Sequence, residues 1–492
     1  MLLDFLKLLR ENLQRRNHET WLEVTEVAQR IWTLALTSVA FFMVALDSLV
    51  VVTALPAIHR EIGGSISTLE GTVNAFTLTY AAGIITAAAL GDRLGRRLIF
   101  ISGLAVFTAS SIACAIAPSA EILIAARALQ GLGAAMVMPV SLTILTSTFP
   151  AERRGAIVGV WGGIGGLAVA MGPLVGGAIT QGLSWHWIFW VNAPIGVLAI
   201  LLSVLRIPES KGPATRLDLI ATALIATGAA ALVWGLIRAG DDGWQSSSTV
   251  GTLIIGALLL VGFVVWEIRA AQPMVPMHLF RSLSFSTGNA TGFLMAGAIF
   301  SAAFLVSQYM QFGLGYSPLN AGLRVLPWTA MPVFVAPAAG LLSDRMGRRT
   351  VLVLGMALQG AGLIWFALLA TASVAYINLV LPLIVAGVGV SMALPIAPTV
   401  VVSAVKPHEM GKASGVNSTV QRFGAAFAIA IGAAVFASHG HIGTPSSFVS
   451  GFQPALIVVG SLSLLGAITA LGVESRRPVV QVESAVEAAS AA

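Results

Sequence analysis

The chain alternates between long apolar stretches and short polar joints. Fourteen stretches stand out, at about 33–56, 71–90, 98–117, 122–147, 156–181, 187–205, 217–237, 250–268, 286–310, 320–342, 351–370, 376–403, 412–437 and 453–473. A helix needs ~20 mostly apolar residues to cross the hydrocarbon of a bilayer, and each stretch is about that long. None alternates with period two, as a strand of a membrane barrel would. The pattern predicts an all-α polytopic membrane protein with fourteen crossings.

Composition agrees. Of the 492 residues 57% are hydrophobic, and the mean hydropathy is +0.90. A soluble fold of this size leaves too much surface exposed to hide so much apolar material, so the lipid bilayer is the expected solvent. Of the 27 Lys and Arg, all but Arg60, Arg127, Arg238, Arg324 and Arg422 fall in the tails and in the loops of one face. Basic loops stay on the cytoplasmic side, and an even number of crossings returns the C-terminus to the side of the N-terminus. The expected location is a bacterial plasma (inner) membrane, multi-pass, with both termini cytoplasmic. The net charge of +6 therefore reports topology, and no nucleic-acid partner is expected.

The start of the chain lacks the layout of a cleaved signal peptide. Leu2, Phe5, Leu6 and Leu9 form one helical stripe, with Lys7, Arg10, Arg15 and Arg16 elsewhere. An interfacial helix and a free cytoplasmic tail both fit. The single cysteine, Cys114, excludes an intrachain disulfide.

The sequence also contains itself twice. LGDRLGRR (90–97) returns as LLSDRMGRR (341–349), with Asp92 and Asp344 252 positions apart. GLGAAMVMP (131–139) returns as GVGVSMALP (387–395), and Gly155 and Gly159 as Gly411 and Gly415, all at an offset of 256. Both copies of the charged cluster lie on the basic face, so the repeat keeps its orientation. Parallel repeats about an axis along the membrane normal mark one class of secondary transporter. The expected organisation is an N-terminal segment (1–30), a six-helix bundle (31–205), a linker with two extra helices (206–284), a second six-helix bundle (285–473) and a cytoplasmic tail (474–492).

Three motifs carry candidate chemistry. In the clusters, Gly95 and Gly347 permit a tight reversal, and the Arg forks can clasp carboxylates or helix ends. An acid repeated at the same place is not needed for topology. In LDSLVVVTALP (46–56), Asp47 lies about 15 residues into the first span, ~20 Å deep at 1.5 Å per residue. Glu70, Glu121, Asp218 and Glu267 fall near span ends instead. An acid at such depth usually faces a cavity and serves a function. Carboxyl groups withdrawn from water titrate closer to neutrality, which suits a group that takes a proton from one side and releases it to the other. A structural carboxylate held by neighbouring helices is the other reading. GVWGGIGGLAVAMGPLVGG (159–177) concentrates glycines that allow close helix approach.

Together these motifs, in this order, resemble the major facilitator superfamily, and within it the fourteen-span drug:proton antiporters. The likeness covers about residues 33–473. It implies two six-helix bundles related by a parallel pseudo-two-fold, with two extra helices between them. It implies that Asp92, Arg93, Gly95, Arg96 and Arg97, and Asp344, Arg345, Gly347 and Arg348, latch the cytoplasmic gate. Asp47 and Arg127 would couple protons, because the first and fourth spans adjoin in that fold; snorkelling of Arg127 to the interface is the alternative. Gly172, Pro173, Gly176 and Gly177 match the antiporter motif, which implies outward exchange. Ala88, Ala168, His186, Leu49 and Val52 depart from the family pattern, the last two where polar residues are usual.

Cavity candidates are Asn74, Phe76, Tyr80, Gln130, Trp161, Asn289, Gln308, Tyr309, Trp328, Asn417, Gln421 and Arg422, aromatic, amide and cationic groups that suit large amphipathic compounds. The expected function is proton-coupled antiport exporting hydrophobic or amphipathic compounds by alternating access. A dedicated exporter of one endogenous metabolite or lipid, and a non-coupled facilitator, remain the alternatives. An enzyme is disfavoured: no HExxH, Cys/His metal cluster or phosphate-binding GxxxxGK[ST] loop occurs. No cofactor is expected, the drive being the proton gradient. Partners are the bilayer, protons and a hydrophobic small molecule, and a monomer is expected.

Overall fold

The computed structural model describes residues 2–475, other than 64–65, 213–217, 242, 244, 271–272, 274 and 407–408. The side chains of the N-terminal stripe and of Asp344 lie outside the described residues. The first half comprises α1 (Leu2–Ile62), α2 (Ile66–Leu94), α3 (Arg96–Ala115), α4 (Ala120–Thr148), α5 (Ala151–Gly182), the short α6 (Trp187–Trp190) and α7 (Asn192–Arg206). Then come α8 (Leu219–Asp241) and α9 (Ser247–Arg269). The second half holds α10 (Leu283–Gln308), which continues into a π-helical turn, α11 (Pro318–Thr329), α12 (Met331–Met346), α13 (Arg348–Leu369), α14 (Ile377–Ala393), α15 (Ile396–Ser403), α16 (Met410–His439) and α17 (Pro445–Ala470).

Among the described residues, twelve helices are long and apolar enough to span a bilayer. Helix α5 qualifies as a pair of segments bent by 41°, and α8, 23 residues long, contributes the apolar stretch Leu219–Leu232 among its described residues. With α5 taken as one span the described residues supply thirteen. Proline accounts for two of the interrupted spans: Pro332 and Pro395 lack the N–H that an unbroken helix requires, and the chain breaks at Ala330 and at Leu394–Pro395.

The repeat is visible in the packing. A Cβ on Gly131 of α4 would run into the Phe76 carbonyl of α2, and one on Gly387 of α14 would meet the Trp328 carbonyl of α11. Gly133 lies against Phe107 of α3 as Gly389 lies against Gln359 of α13. Phe76 and Trp328, and Phe107 and Gln359, are each 252 positions apart, the spacing of the two charged clusters. Two bundles thus repeat one another's helix contacts. Helices α8 and α9 pack together, and α8 rests on α2 and α16, where the halves meet. Thr86 and Thr222 share a hydrogen bond of 2.9 Å there.

The halves close at the face opposite the basic loops. Gly177 sits against the Pro318 carbonyl and Gly322 against that of Pro173, so α5 and α11 touch backbone to backbone. Gln308 Nε2 donates to Val52 O at 3.1 Å and Gln311 Nε2 to Thr53 O at 2.9 Å, tying the second half to α1. Toward the basic face, by contrast, α5 makes few contacts with α12. Gly159, Gly162, Gly163 and Gly166 of α5 and Gly340 of α12 have open space where a side chain would be.

Candidate functional site

Asp47 is buried in the N-terminal bundle and is surrounded by donors from two other helices. Arg127 Nη1 of α4 reaches Asp47 Oδ2 at 2.5 Å. Gln130 Nε2, one turn along α4, donates to Asp47 Oδ1 at 3.0 Å. Asn192 Nδ2, at the start of α7, donates to the same oxygen at 3.0 Å and to Ser111 Oγ of α3 at 3.0 Å. Asp47 is 2% exposed, Arg127 and Gln130 0%. Charges so withdrawn from water must be paired, and here the pair carries two added amide bonds. Gln130 is held in turn, its Oε1 accepting from Arg127 Nη1 at 2.7 Å.

Arg127 also donates through Nε to Thr72 O of α2 at 3.3 Å, and its guanidinium lies 4.3 Å from the centre of the Phe76 ring. It does not snorkel. Its Nη2 has no hydrogen-bond partner among the described residues. Arg127, Gln130 and Asn192 all donate to Asp47, so these bonds tie α1 to α4 and α7 together.

Tyr80 lies one turn beyond Phe76 on α2, ring centres 5.9 Å apart. Above it is Arg422 of α16, 4.4 Å from the ring centre. Two aromatic rings thus connect the buried arginine of one half to the cation of the other. Asn289, Asn417 and Gln421 form an amide chain between α10 and α16, with bonds of 3.3 and 2.7 Å. Asn74 bonds Glu70 at 2.9 Å. Trp161 stacks on Phe41 at 4.0 Å, pinning α5 to α1. Gln308, Tyr309 and Trp328 are buried away from these groups: Tyr309 stacks on Phe452 at 4.4 Å and donates to Thr371 O at 2.7 Å. The twelve cavity candidates are therefore not one constellation.

Of the antiporter-motif residues, Gly172 lies on Leu49 and Gly176 on the backbone of Val50, where a Cβ would come within 2.8 and 2.7 Å. They let α5 approach α1 immediately beyond Asp47, and Pro173 meets Gly322 of the other half.

The charged clusters each bind within their own half. Arg96 Nε donates to Asp92 Oδ1 at 2.9 Å. Gly95, at φ 130°, turns the chain so that α3 begins without a side-chain cap of its own. Glu209 supplies one from the segment after α7, accepting from the backbone N–H of Arg97 at 3.0 Å and of Leu98 at 3.2 Å. Arg97 Nη1 reaches Ile207 O at 3.2 Å, while Arg93 is exposed. In the second cluster Gly347, at φ 86°, packs on the Ser475 carbonyl, Arg348 Nη1 bonds Ser403 Oγ at 2.5 Å, and Arg345 is exposed.

Sequence reasoning missed Asn192, Ser111, Thr72 and Glu209. Trp185 is buried and donates to Glu61 Oε2 at 2.7 Å, whereas Trp187 is exposed. Glu70 and Glu267, placed near span ends, are both 2% exposed.

The Major Facilitator Superfamily model matches residues 37–316 and 290–491. The chain is 32% identical over 412 residues to the tetracenomycin C resistance and export protein of Streptomyces glaucescens, covering 83% of this chain and 76% of that protein. It is 34% identical over 411 residues to the multidrug resistance protein Stp of Mycobacterium tuberculosis, covering again 83% and 76%. A crystal structure of a peptide transporter POT in complex with sulfate superposes with a TM-score of 0.68 at 16% identity, over 89% of this chain and 93% of that one. That likeness is one of fold alone.

Proposed function

Since this chain belongs to the Major Facilitator Superfamily, and is a transporter rather than an enzyme, we propose that it is a proton-coupled antiporter exporting hydrophobic or amphipathic compounds. The observation that carries the reading is the buried Asp47 with Arg127, Gln130 and Asn192 on it. A proton arriving at Asp47 cancels its charge, turns one carboxyl oxygen into an O–H donor, and leaves Arg127 without its counter-charge. The bundle's internal geometry and its charge then change together, as an exchanger requires. Gly172, Gly176 and Gly177 lie between this cluster and the closed face, so rearrangement of α1 reaches the α5–α11 seal directly.

In this reading the basic face is cytoplasmic, both termini lie there, α5 and α8 complete fourteen crossings, and the described state opens toward the cytoplasm. The Asp92 and Asp344 clusters stiffen the α2–α3 and α12–α13 reversals so that each half rocks as a unit. The transporter is a monomer in the bacterial plasma membrane and needs no cofactor. The relatives named for drug resistance and export support the direction of transport. One of them is named for a single compound, which favours as second reading a dedicated exporter of one metabolite.

The test is transport by the purified chain in liposomes, with an imposed pH gradient and dyes inside and out. Dye movement against its own gradient, dissipating the pH gradient as it proceeds, is expected. Dye movement indifferent to the pH gradient would leave only a facilitator.

A further inference from the structure

Asp47 is committed to Arg127, 2.5 Å away. Arg422, midway along α16, forms no ion pair with a described carboxylate. Glu70 shares α2 with Tyr80, but ten residues of helix separate them, about 15 Å at 1.5 Å per residue. It does not neutralise Arg422.

What Arg422 does have is aromatic surface from both halves. Its guanidinium lies 4.4 Å from the Tyr80 ring of α2 and 5.5 Å from the Phe300 ring of α10. Rings hold a cation in place without cancelling its charge. Arg422 and Phe300 are partly exposed, so this cation is open to a ligand, unlike Arg127. Gln421, beside it, is likewise partly exposed and tied to Asn417 at 2.7 Å.

We infer that Arg422, with Tyr80 and Phe300, forms an anion-recognition subsite between the two halves, and that the exported compounds are planar aromatic anions bearing a carboxylate, sulfonate or phenolate. The guanidinium fork matches an oxyanion in two directions, and the ligand's ring takes up the aromatic faces that flank it. A lipophilic monocation would meet like charge at the same place. The Phe76–Tyr80 step joins this subsite to Arg127, so loss of negative charge at Asp47 and loss of the bound anion act on one stack of rings.

The inference rests on the exporter reading, and the experiment separates the two. Sulforhodamine B, a net anion, and rhodamine 6G, a cation, share a xanthene core; both are followed in liposomes under a pH gradient for the wild type, Arg422→Gln and Arg422→Lys. Arg422→Gln should lower kcat/KM for sulforhodamine B by about tenfold or more, Arg422→Lys should retain it within about threefold, and rhodamine 6G should be unaffected or faster. An equal loss for both dyes, or no loss for either, overturns the subsite. Movement of neither dye by the wild type, with or without a gradient, contradicts the exporter reading itself. Anisotropy on the wild type alone adds a check that no variant's folding can obscure. Tighter binding of sulforhodamine B is expected, and tighter binding of rhodamine 6G overturns the inference.

Discussion

Arg127 and Asp47 stand 80 positions apart in sequence and meet at 2.5 Å inside the N-terminal bundle, both almost wholly out of solvent. A pair so placed is conditional: each charge is tolerable only while the other is present. That makes it a poor source of stability and a good switch, since one proton changes the standing of both residues.

The pair's mutual dependence can be measured as stability. Arg127→Gln should destabilise by about 3–5 kcal/mol, because Asp47 is left charged and buried. Adding Asp47→Asn to that variant should recover much of the loss. Thermal melts of the four proteins in detergent form the cycle; a double variant less stable than Arg127→Gln would mean that the two charges are not coupled.

The seal between α5 and α11 predicts a contrast among glycines of one helix. Gly177→Ala would place a Cβ on the Pro318 carbonyl, whereas Gly162→Ala enters open space. Gly177→Ala should hold the outer end ajar and cut exchange by about tenfold or more, and Gly162→Ala should transport near the wild-type rate. Dye exchange rates, with labelling of a cysteine placed beside Pro318, report both effects.

Glu209 caps α3 from the linker, so Glu209→Ala should cost about 1 kcal/mol, the usual value of a lost helix cap. The loss should appear as a lower melting temperature and a slower transport cycle, with ligand affinity unchanged. A fall in affinity would instead place Glu209 at the substrate.

If the exported compound is a monoanion exchanged for one proton, each cycle carries two positive charges inward. Each charge draws ~2.3 kcal/mol from 100 mV of membrane potential. An inside-negative potential imposed by a potassium–valinomycin gradient should therefore accelerate sulforhodamine B export even with no pH difference. A rate indifferent to the potential would mean electroneutral exchange.

The architecture was legible because lipid imposes a strong constraint: an apolar run of one length, basic loops on one side, and a repeated charged turn. Asp47 and Arg127 were legible for the same reason, as charges are conspicuous in an apolar background. Asn192 and Ser111 were not. A lone amide near a span end or a serine in an apolar window gives no sign of its partner until helices α1, α3 and α7 are set side by side. Gln130 was noticed for the wrong surroundings, since its amide is engaged with Asp47 and Arg127 instead of standing free in a cavity. Tyr309 and Gln308 likewise look like ligand-binding types, yet they join helices at the closed face. The bend of α5 was hidden because hydropathy measures composition, not the path of the backbone.

The central claim is that protons pass through Asp47. It is tested most directly by comparing wild type and Asp47→Asn in liposomes, recording internal pH and dye movement in the same sample, first with a pH gradient and then as dye-for-dye exchange without one. The account predicts that Asp47→Asn loses gradient-driven export and the accompanying pH change but keeps dye-for-dye exchange, because asparagine imitates the protonated acid. Proton movement persisting in Asp47→Asn, stoichiometric with dye export, would contradict it.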